Sequence, residues 1–384
     1  MINNLSGPIG RHVLYPLLAS GLGLVIALIL GLGKFDGNVT GFFRIGDVIP
    51  VSPYLSAQSV FIHQGKTGHD GQQFLTIALD PGLGNPQTLK SLDVPAYRYR
   101  RIFYPFLGWL LGLGQSGWIP YTLVLVNILC FGVSVWGLGK LLPQQPSSLP
   151  LLFLTIPGLW ISFSIATADL LSTTLVILTL GSYQQKRPWQ TWCWQALALL
   201  TRETTLLVWF ALVMTSGLKR RKLDLVFAPL ALVPWGLWNF YLRWRLGPAW
   251  DSQSLGTHFS WPLTGIIAKV QQLITTPMSL TQGLDLIVFL VQIAVVIGIG
   301  LAVRQAWGKQ PEIVLAGGLY SLMFILAKLQ ILNLFTDYSR VFLDLYLFLL
   351  LLWPYHPVRY RIVIFSLLGL VSVAYLLGFA TEPV

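Results

Sequence analysis

Apolar residues run through this chain in blocks long enough to cross a bilayer, and polar residues gather in the connections between them. Crossing as a helix takes about 20 predominantly apolar residues. The first block, Val13 to Leu32, meets that length and lacks a small-residue cleavage pattern, which predicts an uncleaved anchor. Further spans are predicted at Ile119–Leu141, Leu149–Ile165, Leu170–Tyr183, Trp192–Leu200, Thr205–Ser216, Leu225–Tyr241, Leu284–Val303, Ile313–Leu332, Val341–Leu352 and Ile362–Phe379, about 11 in all. The expected fold is an all-α polytopic membrane protein, one integral membrane domain over residues 1–384.

Between the first two blocks the pattern is different. A hydrophilic stretch runs from Lys34 to Arg101, and with the helices that follow it forms a first extramembrane loop over 34–118. Its early part, residues 35–53, has turn formers around short apolar runs and predicts a hairpin. Gly65-Lys66-Thr67 resembles the end of a phosphate-cradling loop, but Val60 stands where that motif needs glycine, which excludes it. From Asp70 the period becomes helical, with Phe74, Ile77 and Ala78 on one side, and Asp80-Pro81 closes the run. The apolar segment Ile102–Gly114 is too short to cross, and its Tyr104 and Trp109 suit the headgroup boundary. A second outer loop, 243–283, carries Trp250, Asp251, His258 and Trp261. It continues into an amphipathic stretch with Leu263, Ile266, Ile267, Val270 and Leu273 opposite Lys269, Gln271 and Gln272.

Composition agrees with a membrane protein, since 10% of residues are charged, against roughly 25% in soluble domains. A net charge of +11 would suit nucleic acid, but the basic residues are spread through short connections, where Lys and Arg set topology. With a cytoplasmic N-terminus and Ile102–Gly114 held at the interface, Arg11, Lys140, Lys186, Arg187, the Lys219–Lys222 cluster, Arg304, Lys309, Arg359 and Arg361 share one side with only Asp224 and Glu312. The long loop then faces outward. Cys130 and Cys193 both sit in apolar context, which supports neither a disulfide framework nor a thiolate metal site. His63, His69, His258 and His356 lack ligand spacing, and there is no Asp-x-Asp.

Candidate chemistry concentrates on the outer side. Asp70 followed by Gln73 is a helix-capping pattern, and a carboxylate so held also suits a general base. Asp36, just past the first span, is either a boundary turn residue or a second acid of the same site. Arg98, Arg100 and Arg101 lie where the orientation rule gives no reason for them. Guanidinium forks match phosphate oxygens, while snorkelling to headgroups is the plainer account of any one of them. Asp169, Arg202, Glu203, Lys328, Arg340 and Asp344 are further ionisable residues at membrane positions, which are costly in lipid and face a cavity or one another. Arg202 with Glu203 and Lys328 with Asp344 are the simplest internal pairs.

The layout, with Asp70-Gly71-Gln72-Gln73-Phe74 leading to Ile77-Ala78 in an outer loop, then interfacial helices and a many-span bundle, resembles the GT-C glycosyltransferases, in particular their bacterial mannosyltransferase-like branch. The stretch Tyr97-Arg98-Tyr99-Arg100-Arg101-Ile102-Phe103-Tyr104-Pro105, the stretch Leu200-Thr201-Arg202-Glu203-Thr204, and Asp169 add to the likeness. His69 stands where that branch usually has an aromatic residue. The resemblance implies an enzyme of a bacterial plasma membrane that moves a sugar from a polyprenyl-phosphate carrier to a hydroxyl of a glycan, glycolipid or protein. Asp70 would be the catalytic base, assisted by Asp36. Arg98, Arg100, Arg101, Arg202 and Arg340 would serve the lipid phosphate, with Tyr99, His69, Glu203 and Asp169 around the substrate. It requires no metal, and some relatives take a divalent cation in the outer loop. The rival reading is a lipid-linked-sugar flippase or other transporter, which would place ionisable groups near the midplane and on both sides.

Overall fold

The computed structural model describes residues 8–55, 60–142, 148–247 and 258–382, with side chains from residue 13 onward. Trp250 and Asp251 lie outside the described residues. The chain is nearly all helical. In order it forms α1 (Pro8–Gly33), α2 (Asp70–Leu79), α3 (Pro95–Tyr99), α4 (Phe103–Leu111), α5 (Ile119–Leu141) and α6 (Pro157–Ser164). Then come α7 (Asp169–Gln184), α8 (Pro188–Thr201), α9 (Leu206–Leu218), α10 (Lys222–Phe227), α11 (Leu232–Leu246) and α12 (Thr264–Thr275). The last third holds α13 (Leu280–Ala306), α14 (Pro311–Leu326), α15 (Leu329–Leu332), α16 (Phe335–Val341), α17 (Leu343–Leu351) and α18 (Val358–Thr381).

Among the described residues five helices are long and apolar enough to cross a membrane: Val13–Gly33, Ile119–Leu141, Lys222–Leu246, Leu280–Ala306 and Val358–Thr381. Several of the predicted spans are shorter or broken. Leu149–Ile165 divides into a 3-10 turn, Leu149–Thr155, and α6, because Pro157 forces Ile156 into an extended conformation. Ile313–Leu332 divides at Ala327, so Lys328 stands at the start of α15 and not inside a span. Its predicted partner Asp344 accepts a hydrogen bond from the Thr173 hydroxyl at 2.6 Å. The stretch 35–53 is no hairpin: Ile45–Gly46 pairs in parallel with Ile62–His63, a two-residue ladder whose partner strand lies beyond that stretch.

Large apolar side chains such as Leu17, Ile29, Leu370 and Leu377 face outward on α1 and α18, as lipid-facing positions must. α12 carries the same inversion further. Ile267, Val270 and Ile274 are exposed, while Lys269 is 0% exposed and its ammonium meets Asp285 at 2.5 Å and the Asn333 carbonyl at 2.7 Å. Of the polar positions read from sequence, Lys269 therefore points into the protein and Gln272 is half-buried, while Gln271 is exposed. For Lys269 that is the stable choice where the outside is apolar, because a paired charge inside costs less than an unpaired one in lipid.

Two cores form. The larger runs through the bundle, and a smaller one gathers Ile77, Leu92, Ala96, Tyr99, Ile102 and Leu242, where α2, α3 and the end of α11 meet. Two glycines permit the contacts that bring the polar elements together. A Cβ on Gly71 in α2 would lie 2.3 Å from the Ile165 carbonyl oxygen, and one on Gly158 in α6 would lie 2.2 Å from that of Ser339, next to Arg340. Gly158→Ala is therefore expected to destabilise the protein by about 1 to 3 kcal/mol through overpacking. Gly318→Ala, at a helical position where a Cβ meets nothing within 4 Å, serves as the control. Melting in detergent micelles measures both, and equal effects would remove the close-approach argument.

Candidate active site

Stretches far apart in the chain converge on one cavity. The first is the start of α2, where His69 is extended (φ −132°, ψ 175°) and its ring Nδ1 accepts the Asp70 N–H at 2.9 Å. A side-chain acceptor there satisfies one of the N–H groups left open at a helix start. The expected cap was Asp70 with Gln73. Instead Asp70 takes the first helical position, and the Gln73 side chain accepts the Asp93 N–H at 3.2 Å. With His69 capping, the Asp70 carboxylate is free for other partners while still at the positive end of the helix dipole.

Those partners are guanidiniums from opposite ends of the chain. Asp70 Oδ1 accepts from Arg98 Nη1 at 2.7 Å, and Oδ2 accepts from Arg340 Nη1 at 2.8 Å. Arg98 is itself gripped in two places by Asp93, at 2.8 Å from Nε and 2.6 Å from Nη2. Arg340 also reaches Asp169 at 3.4 Å and, one helical turn back, Asp337 at 4.0 Å. Asp169, first residue of α7, pairs with Arg202 and accepts the Thr167 hydroxyl at 2.8 Å. A continuous chain of alternating charge results, from Asp93 through Arg98, Asp70, Arg340 and Asp169 to Arg202.

Arg202 and Glu203 do not pair with each other. Arg202 is extended (φ −159°, ψ 123°), so consecutive side chains leave on opposite sides, and Glu203 instead meets Arg101 at 3.1 and 3.2 Å. Arg101 also hydrogen-bonds the Tyr97 hydroxyl and stacks on that ring at 4.4 Å. Arg98 and Arg101 are three apart at the end of α3 and share a face. Arg100 lies on another side and is not among the described residues lining the cavity.

The cavity has a volume of about 560 Å³. Among the described residues its walls carry Asp70, Asp93, Asp169 and Asp337 against Arg98, Arg101, Arg202 and Arg340, with His69, His258 and Tyr97 between them. Acid and base balance. Burial alone would raise the Asp70 carboxyl, but the charges of Arg340 and Arg98 overcome it and hold the group well below the usual carboxylate range. At Asp93 burial is likewise outweighed, by the Arg98 hydrogen bond and charge. At Asp337 burial wins over Arg340 and the carboxyl is raised. No group of three or more His, Cys, Asp or Glu side chains among the described residues is arranged to hold a metal ion. With each acid of the charge chain already matched by a guanidinium, this donor set does not fit a resident divalent cation.

Besides Arg100, two more of the expected site residues stand elsewhere. Asp36 is exposed in the turn after α1, where φ values of 50° at Asp36 and 78° at Gly37 reverse the chain. Tyr99 is 0% exposed in the smaller core, its hydroxyl donating to the Asp80 carbonyl at 2.8 Å and its carbonyl accepting from Trp238 Nε1 at 2.7 Å. Its role is to anchor α3. Asp80 organises the following loop, accepting from Gly84, Asn85 and Thr88 at 2.7, 3.0 and 2.8 Å. Asp93 and Asp337 were missed. Asp337 carried a local signal, three residues before Arg340 on one helix. Asp93, just ahead of Val94-Pro95, reads from sequence as a turn residue.

Comparison of the chain with protein-family models, with curated proteins and with solved structures finds no match.

The cap makes a pH prediction. His69 Nδ1 must be unprotonated to accept, and burial, reinforced by the Arg340 charge, pushes the ring down to about 4 from 6.5. Between those values the unfolded chain binds a proton that the folded chain refuses. Stability therefore falls as pH is lowered through that window, by at most about 1.4 kcal/mol per pH unit. His69→Asn keeps a capping acceptor without a titrating group, and should flatten the slope when melting is followed across the window. An unchanged slope would assign it to other groups.

Proposed function

We propose that this chain is a membrane glycosyltransferase of the GT-C kind, moving a sugar from a polyprenyl-phosphate carrier to an acceptor hydroxyl. The observation that carries the reading is the Asp70 carboxylate held between Arg98 and Arg340 at a cavity. In this reading the shorter helices complete about eleven crossings. The N-terminus is cytoplasmic, and the cavity opens at the outer face of a bacterial plasma membrane.

The resting geometry says how such a site would act. Asp70 is a weak base while two guanidiniums hold it. A phosphate competes for the same forks, since charge-assisted bidentate contacts suit it as well as a carboxylate. Once Arg340 or Arg98 turns to the phosphate, Asp70 loses the charges that depress it and gains basicity with donor in place. The acceptor oxygen then attacks the anomeric carbon, its proton passes to Asp70, and the bond from that carbon to the phosphate oxygen breaks, leaving the electron pair on the lipid phosphate. The arginines meet the charge that develops there. Arg101, held by Glu203 and Tyr97, shapes the wall beside them.

In membranes supplied with a set of polyprenyl-phosphate sugars, Asp70→Asn is expected to lower transfer by about a hundredfold or more, at unchanged expression. Arg340→Lys, which keeps charge and loses the fork, is expected to retain part of the activity. Full transfer by Asp70→Asn would overturn the role given to Asp70, and no transfer by the wild-type protein with any of the donors would favour a transporter.

A further inference from the structure

A second cavity, of about 480 Å³, lies between α5, α7 and α8. Its cationic end is remote from the charged one. α7 begins at Asp169 in the first cavity and reaches the second with Gly181, while α8 runs back from Arg187 to Thr201, so Arg187 stands about 20 Å from the first cavity along α8, and Leu197 at the inner end of the second lies one turn from Thr201. Nothing about the second cavity depends on the reading of the first.

Its chemistry differs too. The walls are largely apolar, with Trp136, Trp194 and Leu197, and Lys140 and Arg187 are exposed cations among the lining residues. Among the described residues the lining holds no Asp or Glu. Lys140 Nζ stands 3.5 Å from the Trp136 ring centre and Arg187 reaches the Gln190 side chain at 3.4 Å, and among the described residues neither cation pairs with a carboxylate. The start of α8 at Pro188 adds its positive dipole end to the same place.

The slot is built by small residues. A Cβ on Gly137 would lie 2.6 Å from Ile177 Cγ2, so α5 and α7 touch there. One turn past Ile177, a Cβ on Gly181 meets nothing within 4 Å, which leaves a gap between the helices. α5 is one of the five helices fit to cross a membrane, and Lys140 is its penultimate residue. With Ser134 beside Thr174 and Gly137 beside Ile177, Gly181 is level with Lys140, so the gap forms a mouth beside the cations, and Leu178, Trp194 and Leu197 line the apolar wall further from them.

We infer that this groove binds one anionic phospholipid of the surrounding bilayer, its phosphate between Lys140 and Arg187 at the gap beside Gly181 and an acyl chain along Leu178, Trp194 and Leu197. A zwitterionic lipid brings a choline cation to two unneutralised cations. A free phosphate ion leaves the apolar wall uncovered. Basic pockets between membrane helices have this preference on general electrostatic grounds.

Cys193 lines the groove, and Cys130, the other cysteine of the chain, is buried, which supplies a reporter without engineering. In detergent, added phosphatidylglycerol is expected to slow modification of Cys193 by a methanethiosulfonate reagent and to be retained one-to-one in native mass spectrometry. Phosphatidylcholine at the same mole fraction, or inorganic phosphate, should not protect. The double variant Lys140→Gln with Arg187→Gln is expected to need about twenty-fivefold more phosphatidylglycerol for half-protection, two surface cations contributing about fivefold each. Gly181→Phe fills the gap and should abolish retention while eluting as the wild type does on gel filtration. Equal protection by phosphatidylcholine, protection by inorganic phosphate, or an unshifted double variant would overturn the proposal. Should the double variant fail to fold, the wild-type comparison of the two lipids decides it alone.

Discussion

The pairing of Asp70 with Arg98 and Arg340 is the contact on which the organisation around the first cavity depends. Arg340 and Asp70 are 270 residues apart, and their bond closes the last third of the chain onto its first loop. Through Arg340 the charge chain continues to Asp169 and Arg202, tying α2, α3, α7, α8 and α16 at one point. Such a chain adds little net stability over an apolar core, because desolvating the ions roughly offsets their attraction. Its effect is on specificity. Removing one member leaves a buried charge without its partner, at a cost of about 3 to 5 kcal/mol, so misdocked arrangements of the helices are excluded.

The same pairing sets what the cavity can do. A balanced set of acids and guanidiniums has no net attraction for an anion at long range, and it releases an arginine only to a ligand that replaces the carboxylate with an equally good acceptor. Phosphate does, and a neutral sugar does not. His69 contributes by taking over the cap, which leaves both Asp70 oxygens to the arginines. The helix start, the cap and the ion pairs form one device in which a carboxylate is positioned by its backbone and kept ionised by its neighbours.

Away from the cavity the molecule shows how an apolar surrounding inverts ordinary folding rules. α12 turns Lys269 inward and Ile274 outward, and the bundle ends collect exposed tryptophans and basic side chains. The opposite end of the bundle is anchored by similar pairs, such as Lys219 with Glu312 at 2.9 Å, but among the described residues keeps Lys140 and Arg187 without carboxylates. The first cavity is therefore internally neutralised and the second still presents cationic charge, and the two would attract different ligands.

The order of residues alone determined that the chain is helical and apolar enough for membranes, that the segment from Asp70 begins a helix, and that arginines crowd before α4. These follow from local periodicity and composition, which act over one or two turns. Only the tertiary structure decided that His69 and not Asp70 caps α2, that Tyr99 and Asp80 brace a loop, that Asp36 stays outside, and that Arg202 chooses Asp169 over its neighbour Glu203. It also recruited Asp93 and Asp337, which look ordinary in the sequence. The physical reason is that an ion pair is chosen by distance and desolvation, and both are set by which remote segments meet. Hydrophobic period tells a side chain which way to face and says nothing of who will be there.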